Sequence, residues 1–189
     1  MKILFLTSNA FLPEAFFGGK QYSIHALCNE LKKRGVIPSV FCSLSSNKMS
    51  RFRIKQSLRK LLFKRTDPVG DNSLGYTVYR AWNPESHIEY ILARIQPDFV
   101  VVFSGNIGRL IKKITPQTDV PIGISWASLS NLSSIQSLDD NILHISNSDF
   151  IASAVDKKFG GKIITIPPLI ERERYSNPRP SNGKFVTFI

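Results

Sequence analysis

Short strand-like runs alternate with helix-like stretches along almost the whole chain, and this alternation constrains the fold more than any other feature. Strands are predicted over residues 3–7, 39–43, 76–81, 99–103, 120–125, 142–146 and 162–166. The run Phe99-Val100-Val101-Val102-Phe103 is apolar throughout rather than alternating, which marks a strand buried on both faces. Between the strands, Ile24, Leu27, Cys28 and Leu31 recur at helical spacing within a helix over 20–34 that Gly35 stops. Asn83 followed by Pro84 predicts an N-cap and first turn for a helix running to Ile95. Further helices are predicted over 107–114 and over 149–159, the latter stopped by Gly160-Gly161. The stretch 67–72 reads as a turn. The expectation is an α/β domain with a doubly wound, mostly parallel sheet.

Size and composition narrow the class. With 189 residues, 42% of them hydrophobic, the chain can bury one core. Its apolar runs fall far short of the roughly 20 residues that a membrane span requires, and Ile3-Leu4-Phe5-Leu6 is broken by Ser8 and Asn9 too soon for a signal peptide. Cys28 and Cys42 read as buried thiols of a cytoplasmic protein. Twenty-five Lys and Arg against fourteen Asp and Glu give a net charge of +11, which calls for an anionic partner.

Gly18-Gly19 stands before the first helix. A dinucleotide turn needs G-x-G-x-x-G directly after the strand. Here Gly18 lies eleven positions beyond Thr7, and the next glycine after Gly19 is Gly35, so that reading fails. Two readings remain: a conformational turn, or a helix N-terminus open to phosphate. Metal and nucleophile chemistry lack their signatures. His25, His87 and His144 have no ligand spacing, Asp139-Asp140 reads as a turn border, and no G-x-S-x-G occurs.

The charge is concentrated. Residues 44–66 contain no acid but carry Lys48, Arg51, Arg53, Lys55, Arg59, Lys60, Lys64 and Arg65, and Ile54, Leu58, Leu61 and Leu62 share one helical face. This basic segment, 44–75, is either a membrane-surface element or an ordinary helix with solvated cations. Aromatic and basic residues are not interleaved here as a nucleic-acid stacking platform requires, which argues against a nucleic-acid partner.

In order and spacing, these pieces resemble the N-terminal domain of a GT-B-fold glycosyltransferase of the family 4 (group 1) type. The resemblance rests on Met1-Lys2-Ile3-Leu4-Phe5-Leu6-Thr7-Ser8 with Pro13 and Gly18-Gly19 following, on the helix-to-strand passage 27–43, on Ile145-Ser146-Asn147-Ser148, and on the segment 162–175. It implies a Rossmann-like acceptor-binding domain over 1–168, an interdomain linker over 169–183, and at 184–189 the first strand of a missing C-terminal donor-binding domain. The implied activity is retaining transfer from a nucleotide-sugar co-substrate, without bound cofactor or metal, to a sugar, polysaccharide or lipid-linked acceptor. That implies a cytoplasmic protein working at the inner face of an anionic membrane, and inactive as this chain alone.

By the same resemblance, Gly18 and Gly19, with Lys20 beside them, lie near substrate phosphates. Phe16 and Phe17 become rim residues of the acceptor cleft, with Gly105 and Asn106 facing it. Many members carry a histidine after the strand 120–125. Here Ser125-Trp126-Ala127-Ser128 stands instead, with Ser128 a substrate candidate and Trp126 either a sugar-stacking surface or core. Pro168-Leu169 also replaces the family's Asn-Gly. The rival reading is a stand-alone Rossmann-like binding module whose basic face meets an anionic partner.

Overall fold

The computed structural model describes residues 1–12, 19–44, 57, 67–133, 135–139 and 141–169. Among these, eight strands form one sheet: β1 (Lys2–Ala10), β2 (Ile37–Ser43), β3 (Val69–Asp71), β4 (Thr77–Ala81), β5 (Phe99–Ser104), β6 (Ile122–Trp126), β7 (Leu143–Ser146) and β8 (Ile163–Thr165). The order is β3-β4-β2-β1-β5-β6-β7-β8, with every pair parallel except β3–β4. Among the described residues these α-helices accompany it: α1 (Gly19–Lys33), α2 (Ile88–Ile95), α3 (Ile107–Ile114) and α4 (Asp149–Phe159). This is the expected doubly wound α/β architecture.

The period of two in the strands divides the core. Leu4, Leu6, Val100, Val102 and Ile124 face α2, α3 and α4, and α2 contributes Ile88, Ile91, Leu92 and Ile95 to that layer. Ile3, Phe5, Val40, Val101 and Phe103 face the other way, where α1 supplies Ile24 and Cys28. Both faces of the central strands are therefore apolar, which is why β5 reads as an unbroken hydrophobic run. Both cysteines are free and buried.

Three local expectations are corrected. The turn-like stretch 67–72 contains β3, an antiparallel edge strand whose Asp71 forms an ion pair with the buried Arg80 of β4. Asn83 makes no side-chain cap; Pro84–His87 form a 3-10 turn first, Ser86 Oγ donates to the Asn83 carbonyl at 3.1 Å, and α2 begins at Ile88. The sixth strand starts at Ile122 rather than at Val120. The eight cations of the basic segment from Lys48 to Arg65, the linker beyond Leu169 and the strand expected over 184–189 lie outside the described residues.

Candidate functional site

The chain runs outward from β1 through β2 to β4, then crosses back to β5 on the other side of β1. Parallel strands end on the same edge, so the reversal between β1 and β5 opens a crevice at their C-terminal ends, where doubly wound sheets bind ligands. Polar residues meet there. Thr7 Oγ1 lies 2.6 Å from Ser104 Oγ and accepts from the Asn9 amide at 3.0 Å. The Asn106 amide donates to Ser8 Oγ at 2.8 Å, and Asn106 Oδ1 caps α3 by accepting from the Arg109 amide at 3.1 Å.

Gly105 makes this approach possible. Its φ is +81°, and a Cβ there would sit 2.0 Å from Ser8 Oγ. No side chain fits between the two strand ends.

On the α1 side, Gln21 fastens the loop leaving β1. Its Oε1 accepts from the Leu12 amide and its Nε2 donates to the Ala10 carbonyl, both at 2.9 Å. Gly19 opens the helix, and Lys20 Nζ reaches across to donate to the Ser125 carbonyl of β6 at 3.1 Å. Burial pulls the Lys20 ammonium down to about 8. A cation in the first turn also opposes the helix macrodipole, and that turn holds no acid to offset it. Lys20 thus carries two costs, burial of its charge and its place in the first turn, against one hydrogen bond to Ser125.

The structure therefore brings Gly19, Lys20, Gly105 and Asn106 to one edge of the sheet. Ser128 lies exposed beyond β6, with its hydroxyl 2.8 Å from that of Ser130. Phe16, Phe17 and Gly18 lie outside the described residues. Of the two readings left open for Trp126, its position is that of a core residue: it is 1% exposed, donates its indole N–H to His144 Nδ1 at 3.1 Å, and stacks on Phe159. Its ring is turned into the protein and offers no face to a sugar.

The sequence reading missed the hydroxyl groups of Thr7, Ser8 and Ser104. A signal existed, since Thr7-Ser8-Asn9 puts three polar residues at the end of an apolar strand. The partnership of Lys20 with Ser125 had none, because 105 positions separate them.

No family model and no curated protein matches the sequence. Among solved structures, sucrose-phosphate synthase from Thermosynechococcus elongatus is similar at a TM-score of 0.60 and 13% identity, over 88% of this chain and 47% of that one. MurG from Acinetobacter baumannii is similar at a TM-score of 0.46 and 10% identity, over 95% of this chain and 50% of that one. The chain spans about half the length of either structure. The likeness to the synthase shows the fold: the chain has the Rossmann-like architecture of half of a GT-B structure.

Proposed function

We propose that the chain is the N-terminal, acceptor-binding domain of a retaining glycosyltransferase that uses a nucleotide-sugar donor. The observation that carries this reading is the crevice at the β1–β5 reversal. It is a polar, hydroxyl-rich strand edge with one half-buried ammonium, in a fold shared with half of a GT-B structure. Hydroxyls and amides at that edge suit a polyol acceptor, and Lys20 with the α1 N-terminus suits a phosphate beside it.

In this reading a C-terminal domain supplies most of the donor site, and neither metal nor resident cofactor takes part. Closure of the two domains aligns donor and acceptor and excludes water. The acceptor is a lipid-linked sugar or a polysaccharide. The cations from Lys48 to Arg65 hold the protein reversibly on an anionic inner membrane surface, as a peripheral, cytoplasmic enzyme. The acidic surface of a membrane, rather than nucleic acid, is the partner of the positive charge. Among the described residues no helix is long and apolar enough to cross a membrane.

Saturation-transfer NMR against neutral glycans, lipid-linked sugars and nucleotide sugars tests the reading. Saturation of glycan or lipid-linked sugar, competed by neither nucleotide nor nucleotide sugar, is expected. Saturation confined to the nucleotide portion would overturn the assignment of this half to the acceptor.

A further inference from the structure

Beside the strand-end cluster, a cavity of about 700 Å³ opens between α3 and the segment 135–139. That volume falls within the range of small-molecule sites, about 300 to 1,000 Å³. Asn106 joins the two regions: its amide is bonded to Ser8 at the crevice, while the residue also lines the cavity.

The lining is chemically selective. Arg109 and Lys112 are three residues apart on α3 and so share one face of it. Glu85 receives Arg109 Nε at 2.5 Å, which fixes the guanidinium while leaving its two terminal nitrogens without a partner among the described residues. The Lys112 ammonium and the Gln136 and Ser137 side chains also have no partner among the described residues. The lining acid, Asp139, already accepts from the Asn141 amide through Oδ1. Ile135, which is 4% exposed, supplies an apolar patch: it packs so close to Gly108 that a Cβ there would meet its Cγ1 at 3.3 Å. Among the described residues no aromatic side chain lines the cavity, so it offers no stacking surface for a nucleobase.

We propose that this cavity binds a sugar or polyol bearing an anionic group. Arg109 and Lys112 take the anion, while Gln136, Ser137 and Asp139 take hydroxyls. The ligand is hydroxylated because Gln136 and Ser137, two neutral side chains without a partner among the described residues, and a carboxylate line a cavity too large for a bare anion. It is anionic because the Lys112 ammonium is unpaired among the described residues and Arg109, held by Glu85 through Nε, keeps two terminal nitrogens to donate beside it. The site rests on its own lining and does not depend on the transferase reading.

Calorimetric titration of the 189-residue chain with glucose 6-phosphate, glucuronate, glucose and inorganic phosphate tests it, with amide shifts mapped by NMR. One or both of the anionic sugars should bind about tenfold or more tighter than glucose and than inorganic phosphate, and should shift the Gly108, Arg109, Gln136 and Ser137 amides. Which anionic sugar binds tells a phosphoryl from a carboxyl ligand. Lys112→Gln, an exposed change that leaves the fold intact, should weaken binding about tenfold, the loss of one charge-assisted hydrogen bond. Arg109→Gln should do at least as much, and Lys157→Gln on α4 should change nothing. Binding of glucose or bare phosphate as tight as that of both anionic sugars overturns the proposal. So does the absence of binding, or an effect of Lys157→Gln equal to that of Lys112→Gln.

Discussion

Lys20, in the first turn of α1, donates from Nζ to the backbone carbonyl of Ser125 at 3.1 Å and so ties α1 to the end of β6 across the mouth of the crevice. Its ammonium, lowered by burial to about 8, is close to neutral pH. An anion bound beside it would stabilise the charged form and raise that value. NMR of carbon-13-methylated lysines should show one resonance titrating near pH 8, moving upward when pyrophosphate is added. A titration unmoved by pyrophosphate would remove Lys20 from the phosphate site.

The same shift fixes the sign of a stability effect. Between about 8 and the free-lysine value of 10.5, the folded protein holds fewer protons at Lys20 than the unfolded chain does. Stability from this group therefore rises with pH through that window, and the full desolvation cost is present below it. Lys20→Met should be more stable than the parent at pH 7, by about 1 kcal/mol once the lost hydrogen bond is counted. Urea titrations at pH 7 and pH 10 should show that advantage shrinking.

Gly105 and Ser8 define the closest approach of the two strand ends. Gly105→Ala adds a Cβ 2.0 Å from Ser8 Oγ at a φ of +81°. It should cost about 2 to 4 kcal/mol. Ser8→Ala in the same chain should recover only part of this, because Ser8 N and Cβ would still lie 3.0 and 3.1 Å from the new atom. A double-mutant cycle by urea denaturation gives the coupling, and strict additivity would contradict the contact.

His144 accepts from the Trp126 indole through Nδ1, so the imidazole must be neutral there, and burial lowers its pKa. The unfolded chain takes up the proton first as pH falls. Stability contributed by neutral His144 is therefore present above the ordinary histidine value, near 6.5, and is lost as the pH falls toward the lower folded-state value. Thermal melts of the parent should drop in midpoint below pH 6.5, and His144→Gln should flatten that slope. Trp126→Ala should cost about 3 to 5 kcal/mol, as removal of a buried aromatic does. A loss below about 1 kcal/mol would contradict the core placement.

The basic segment makes a separate prediction. Each cation near an anionic leaflet contributes about 1 kcal/mol, so half of the eight would give a few kcal/mol of reversible binding. Sedimentation with vesicles containing phosphatidylserine should capture the chain at low salt and release it at high salt. Neutralising Lys48, Arg51, Arg53, Lys55, Arg59, Lys60, Lys64 and Arg65 should abolish capture, and equal capture of the neutralised chain would refute electrostatic docking.

Much of this architecture is legible in the sequence because burial on both faces leaves unmistakable runs. β5 and the bounds of α3 and α4 follow from apolar pattern and, for α4, from the stop at Gly160-Gly161; the structure adds the caps Asn106 and Ser148. β3 was hidden because three residues with a central glycine carry no period; it joins the sheet by antiparallel pairing with β4, with the ion pair from Asp71 to Arg80 added to that ladder. Trp126 was ambiguous for a different reason. A strand's last residue can turn toward the cleft or the core, and only the partner supplied by His144, 18 positions away, decides it. The crevice itself follows from topology, which no local window contains: Ser8 and Asn106 are 98 positions apart and 2.8 Å from each other.

The division of labour between two domains is the central claim, and calorimetry of this chain with uridine and guanosine diphosphates tests it most directly. An acceptor-binding half should bind either nucleotide only weakly, in the millimolar range, through Lys20 and the α1 N-terminus, and Lys20→Met should erase even that signal. Submicromolar binding of a nucleoside diphosphate by this chain alone would contradict the account.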